Sequence, residues 1–106
     1  MELDIKIMKA KQEDILIAEF MGWSYLHEIN EFQDLVGQKF HKEVYYSTSW
    51  DWLMPVVEMI KSKMVERKHL GAYVSFESRL KDASWIGIEA TYKTVVEFIK
   101  WYNENN

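Results

Sequence analysis

Cysteine is absent from this chain, which excludes disulfides, thiol nucleophiles, iron–sulfur clusters and cysteine-type zinc sites. A cysteine-free chain fits a reducing compartment. Glycine is scarce: four residues are too few for a phosphate-cradling loop, and no Gly-x-Ser-x-Gly elbow occurs. Proline occurs once, at Pro55. No apolar run approaches the roughly 20 residues that a membrane-spanning helix requires, so no membrane association is expected. The opening residues Met1-Glu2-Leu3-Asp4-Ile5-Lys6 lack a basic segment followed by an apolar one, so no signal peptide is expected and the cytoplasm is the expected location. His27, His41 and His69 stand alone, none four residues from another and none in a His-Glu-x-x-His run. The sequence thus predicts no catalytic residue, no metal ligand and no cofactor.

Lysine and arginine are missing from Gln12 to Gln38, where six carboxylates occur: Glu13, Asp14, Glu19, Glu28, Glu31 and Asp34. Residues 1–35 carry eight acids against three lysines, a net −5, and the remaining residues carry nine acids and ten bases. An uncompensated acidic face repels nucleic acid and attracts basic protein surfaces. The plainer reading of the same residues is a solvated face that keeps the chain soluble. The basic group Lys61, Lys63, Arg67, Lys68 and His69 is small against this background, so direct binding of nucleic acid is not expected.

Aromatic residues are abundant at 15%, with five Trp and six Tyr. A chain of 106 residues predicts a single domain, 1–106, and exceeds the roughly 70–80 residues below which metal or disulfide staples are usually needed. So many rings either fill the core or lie partly exposed, where flat amphipathic side chains suit a contact surface.

The coarse pattern predicts an α+β fold, with a small antiparallel sheet of 3–5 strands packed with about three helices over 12–21, 50–66 and 88–103. Acids crowd the start of the first helix and Gly22 follows its end. Residues 1–10 carry the alternation Leu3, Ile5, Ile7 and read as a short strand or as a backward extension of that helix. Trp23, Tyr25 and His27 suggest a strand, Asn30 and Gly37 mark turns, and Phe40–Tyr46 reads as a strand. Ser47, Thr48, Ser49 and Asp51 offer N-cap oxygens for the second helix, whose buried stripe is Trp52, Leu53, Val56, Val57, Ile60 and Met64. Pro55 predicts a helix start near Asp51 or Trp52, or a kink. Ala72–Ser78 alternates and reads as a strand, 79–84 as a turn, and Trp85, Ile86 and Ile88 as a further short strand. The last helix has the stripe Ile88, Tyr92, Val95, Val96, Ile99 and Tyr102. Phe98 and Trp101 widen it, as in a helix that is sandwiched or that offers a second side to a partner.

Protein binding is the function class these features fit. The candidate partner-binding residues are Trp23, Tyr25, Glu28, Glu31 and Asp34, together in the least regular segment, with Tyr45 and Trp101. Carboxylates would steer a basic partner inward and rings would supply contact area. Two other readings stay open: a homodimer through Trp85, Phe98 and Trp101, and a small RNA- or ligand-binding module using Trp23, Tyr45 or Tyr73 as stacking rings.

Three runs carry a resemblance: Ser49-Trp50-Asp51-Trp52-Leu53-Met54-Pro55-Val56-Val57-Glu58, Ile17-Ala18-Glu19-Phe20-Met21-Gly22-Trp23, and Val95-Val96-Glu97-Phe98-Ile99-Lys100-Trp101-Tyr102-Asn103-Glu104. They resemble motifs of small uncharacterised proteins of Bacteroidetes genomes, phages and prophages, some classed as a phage α–β–α sandwich domain. The segment between Met21 and Tyr46 departs from that pattern by its acids, where the relatives are richer in Tyr and Asn. The helix also continues as Met59-Ile60-Lys61, where Lys and Glu often follow the Val-Val-Glu. The resemblance implies origin and supplies no catalytic residues. Small acidic phage and prophage proteins often act against host defence, so that origin together with the acidic charge leads to the expectation of a non-enzymatic phage or prophage accessory protein acting in the host bacterial cytoplasm on a basic host protein, such as an anti-CRISPR inhibitor of an RNA-guided CRISPR nuclease.

Overall fold

A computed structural model describes residues 2–34 and 39–105, with side chains from Lys11 onward. The fold is α+β, with four helices and a three-stranded antiparallel sheet. Two compact units divide the chain, Met1–Val44 and Tyr45–Asn106.

In the first unit, α1 spans Glu2–Phe20. The helix predicted over 12–21 therefore extends backwards, and of the two readings of residues 1–10 the helical one is observed. Its C-terminus closes as a Schellman motif. The Trp23 N–H donates to the Ala18 carbonyl at 2.8 Å and the Gly22 N–H to that of Glu19 at 3.0 Å. The motif needs a left-handed residue, and Gly22 supplies it at φ 90°. Strands β1 (Ser24–Leu26), β2 (Glu31–Gln33) and β3 (Phe40–His41) follow in the order β1-β2-β3, and β1 lies against α1. Among the described side chains, Ile17, Ala18, Phe20 and Phe32 are the buried apolar residues of this unit. The strand predicted over 40–46 is shorter than expected. The Tyr45 carbonyl accepts from the Thr48 and Ser49 N–H groups, which turns the chain into the next helix before a longer ladder forms. Gly37, read as a turn signal, lies outside the described residues.

The second unit holds α2 (Trp50–Glu66), α3 (Leu70–Ile86) and α4 (Ile88–Glu104). Lys61 pairs with Glu77, whereas Met54 shares a groove with Ser84, so α2 and α3 run in opposite directions. Phe76 meets Phe98, and the earlier Ala72 shares a groove with the later Trp101, so α3 and α4 are antiparallel too. The unit is an up-down-up three-helix bundle. Its core is Leu53, Val56, Val57, Ile60 and Met64 from α2, Phe76 and Ala83 from α3, and Tyr92, Val95, Val96, Phe98 and Ile99 from α4. The predicted stripes of α2 and α4 are buried except at Trp52, Ile88 and Tyr102, which are half-buried. The broad apolar face of α4 is explained by sandwiching: Phe98 lies under α3, and the helix keeps the charged stripe Glu89, Lys93, Glu97 and Lys100 exposed. Buried Thr91 and Thr94 donate back to the carbonyls of Gly87 and Ala90, each at 3.0 Å, so neither hydroxyl is orphaned.

α3 corrects the prediction of a strand over 72–78, a turn over 79–84 and a strand at 85–88. Phe76, Leu80 and Ala83 recur at i, i+4 and i+7 and form its inner face. Phe76 is fully buried against the Phe98 ring, 4.6 Å away at 63°. Tertiary packing of that face overrides the β-like composition of Tyr73, Val74 and Phe76. The connections are short. Lys68 takes a left-handed φ of 60° to close α2, with His69 N–H on the Met64 carbonyl at 2.8 Å. Gly87 alone joins α3 to α4 at φ 146°, ψ −177°, a region open only to glycine.

α2 begins at Trp50, as the predicted span 50–66 has it and one residue before the Asp51 to which Pro55 pointed. Pro55 lies beyond the first turn and removes the N–H that would reach the Asp51 carbonyl. Both residues are exposed, so water can serve that carbonyl. Ser49 occupies the N-cap through its backbone, accepting from Trp52 and Leu53 at 3.1 and 3.0 Å, but its hydroxyl makes no capping bond. Asp51 lies in the first turn, where its charge complements the helix dipole.

Candidate functional site

Strand register decides which predicted residues share a surface. Tyr25 pairs with Phe32, and Phe32 with His41, so these three point to one side of the sheet. Trp23 and Asp34, each two residues from a member of that row, belong to the same side. The geometry agrees: the Trp23 ring stacks on His41 at 5.0 Å and 30°, and Asp34 Oδ2 lies 3.5 Å from His41 Nε2. Tyr25 meets Phe32 edge-on at 4.9 Å and His27 at 4.8 Å, with the Lys11 ammonium 5.4 Å from its ring centre. Its hydroxyl donates to Asn30 Oδ1 at 3.0 Å, across the turn that Asn30 closes at φ 53°. Glu31 pairs with Leu26 and Phe40 with Gln33, so these four side chains take the opposite side. Glu28 is exposed on the turn between β1 and β2.

The predicted cluster is therefore divided. Trp23, Tyr25 and Asp34 come together, Glu31 faces away from them, and Glu28 stands at the tip. Nearness along a β-hairpin does not mean a shared face, because side chains alternate with a period of two. Asp34 faces His41, whereas Glu19 on α1 and Glu28 are exposed.

Tyr45 and Trp101 belong to the second unit. Tyr45 is 45% exposed and meets Trp52 edge-on at 5.4 Å, in the turn before α2 rather than on a strand. Trp101 is half-buried, edge-on to His69 at 5.2 Å. With Ala72, Ser75, Arg79, Glu97 and Phe98 it lines an open groove of about 320 Å³. Arg79 donates to the Glu97 carboxylate and holds its guanidinium 5.1 Å from the Phe98 ring centre. Phe98 is 5% exposed, so it is no part of a dimer surface as the homodimer reading had it. Tyr73 sits on α3 and not on a sheet. Hydrogen bonding to Glu77, then burial, then the carboxylate charges of Glu77 and Glu58 hold its hydroxyl above the ordinary tyrosine value.

Among the described residues the most exposed large apolar side chains are Trp85 at 86% and Ile86 at 81%, at the end of α3, with Val74 and Leu70 nearer its start. Beside them a second groove, about 250 Å³, is walled by Trp50 and Met54 of α2 and by Leu80, Lys81 and Ser84 of α3. Reading 72–78 and 85–88 as strands joined by a turn hid the continuity of this surface, although the homodimer reading names Trp85. The helical spacing Val74, Ser78, Lys81, Trp85, opposite the inner stripe, was the signal that could have revealed it.

Among the described residues no three metal-ligating side chains come together, and no helix is long and apolar enough to cross a membrane. No family model, curated protein or solved structure matches the chain.

Proposed function

We propose that this chain is a non-enzymatic binding protein that docks on a basic protein through its N-terminal unit. The observation that carries the reading is the distribution of charge. The unit Met1–Val44 has nine carboxylates against five lysines and holds the whole net charge of −4, while Tyr45–Asn106 has eight of each sign. Exposed carboxylates such as Glu19 and Glu28 raise the encounter rate with a positive surface, and the Trp23–Tyr25 rings offer contact area beside them. The same field disfavours direct binding of nucleic acid. The resemblance to phage and prophage proteins supports a host protein in the bacterial cytoplasm as the target. An RNA-guided CRISPR nuclease, basic because it carries RNA, is such a target, and the chain would then act as an anti-CRISPR inhibitor.

The test is association kinetics of the full chain with a purified RNA-guided nuclease of a Bacteroidetes host. The on-rate falls steeply with salt, and the triple reversal Glu19→Lys, Glu28→Lys, Glu31→Lys slows it by about tenfold or more with little change in helicity. Asp34 is left out because its pairing with His41 gives it a structural role. Association that ignores both salt and reversal overturns the reading.

A further inference from the structure

The outward face of α3 has an order that matches itself in reverse. Exposed Leu70, Gly71 and Val74 lie at its start, Glu77 and Lys81 in its middle, and Trp85 at its end, within about 120° of one another around the helix. Turned end for end about a point near Ser78 and Arg79, the face sets each Glu77 opposite a Lys81, twice. It also sets the bulky Trp85 over the slim Leu70–Gly71–Val74 end. Gly71, with no side chain and open space around it, leaves room there for the ring. Aligned in parallel, the same face would set Glu77 on Glu77 and Lys81 on Lys81. Burying an exposed Trp, Val and Leu from each of two copies removes on the order of 1,000 Å², the lower edge of what a specific interface needs.

We propose that two copies of this chain pair through the outward faces of α3, antiparallel about a two-fold axis near Ser78. The contact is isologous: the same patch serves both partners, and each patch supplies a knob and a hollow. All of its residues belong to the unit Tyr45–Asn106, whereas the docking proposed above uses residues of Met1–Val44. Glu77 also pairs with Lys61 at 3.7 Å within its own chain, but it remains half-exposed and can serve both lysines.

The absence of cysteine makes a clean test possible. Helix axes 8–10 Å apart bring two residues on the axis within disulfide reach. In the full chain Ser78→Cys, mild oxidation yields a covalent dimer at least tenfold faster than in Ser62→Cys, an exposed control on α2. Adding Trp85→Glu to Ser78→Cys removes the difference. Sedimentation of the unaltered chain shows a concentration-dependent species of twice 12.7 kDa, which Trp85→Glu returns to 12.7 kDa with its helical circular dichroism intact. Equal crosslinking at Ser78 and Ser62, a monomer at every concentration, or a dimer indifferent to Trp85→Glu overturns the proposal.

Discussion

The two units divide the work of charge and packing. Met1–Val44 carries all the net charge, has strands of two or three residues, and buries Ile17, Ala18, Phe20 and Phe32. Tyr45–Asn106 is neutral, buries a continuous three-helix core, and places its spare apolar surface on the outside of α3. A unit with unbalanced charge repels itself, whereas one with balanced charge and a filled core does not. We expect stability to be concentrated in the helical unit, with the acidic unit presenting its carboxylates beside it in sequence.

Emptying the helical core is the strongest way to break this comparison. Phe76→Ala removes the fully buried ring between α3 and α4 and costs about 3–5 kcal/mol, seen as a lower urea midpoint. If the midpoint stays where it was, the helical unit is not where the stability lies. Gly87→Ala comes next. Open space surrounds the would-be Cβ, so the cost is backbone strain alone, about 1–3 kcal/mol, read as a drop in melting temperature. The smallest change sharpens the contrast through two like helix ends. α1 closes on Gly22 at φ 90°, but α2 closes the same motif on Lys68 at φ 60°. Lys68→Gly relieves that strain and raises stability by about 0.5–1 kcal/mol in denaturant titration.

Much of the helical unit was legible along the chain. The stripe from Leu53 to Met64 and the stripe from Tyr92 to Ile99 indicate helices, and helices stand there; the hydroxyl run marks the start of α2 correctly, although Ser49 caps it through its backbone and not its hydroxyl. α3 was not legible, because Ala72, Val74 and Phe76 fit a period of two as well as Phe76, Leu80 and Ala83 fit 3.6. Only the packing of Phe76 on Phe98, 22 residues onward, separates the periods. The candidate site was half legible for a similar reason. Composition drew Trp23, Tyr25, Glu28, Glu31 and Asp34 together, but pleating sends Glu31 to the far side from Trp23, Tyr25 and Asp34. The sequence singles out Trp85 as a contact residue, but Ile86, Val74 and Leu70 escaped notice because their exposure depends on α3 being a helix.

The single-residue link at Gly87 also bears on how quickly the chain finds its shape. Partners such as Arg79 with Glu97 and Phe76 with Phe98 are joined by a short stretch of chain, so little loop entropy is lost when they meet. Local contacts of this kind set the fast end of folding rates. The α3–α4 hairpin is the expected nucleus: Phe98→Leu should slow refolding and Leu53→Ala, on α2, should mainly hasten unfolding, as the two limbs of a chevron plot would show.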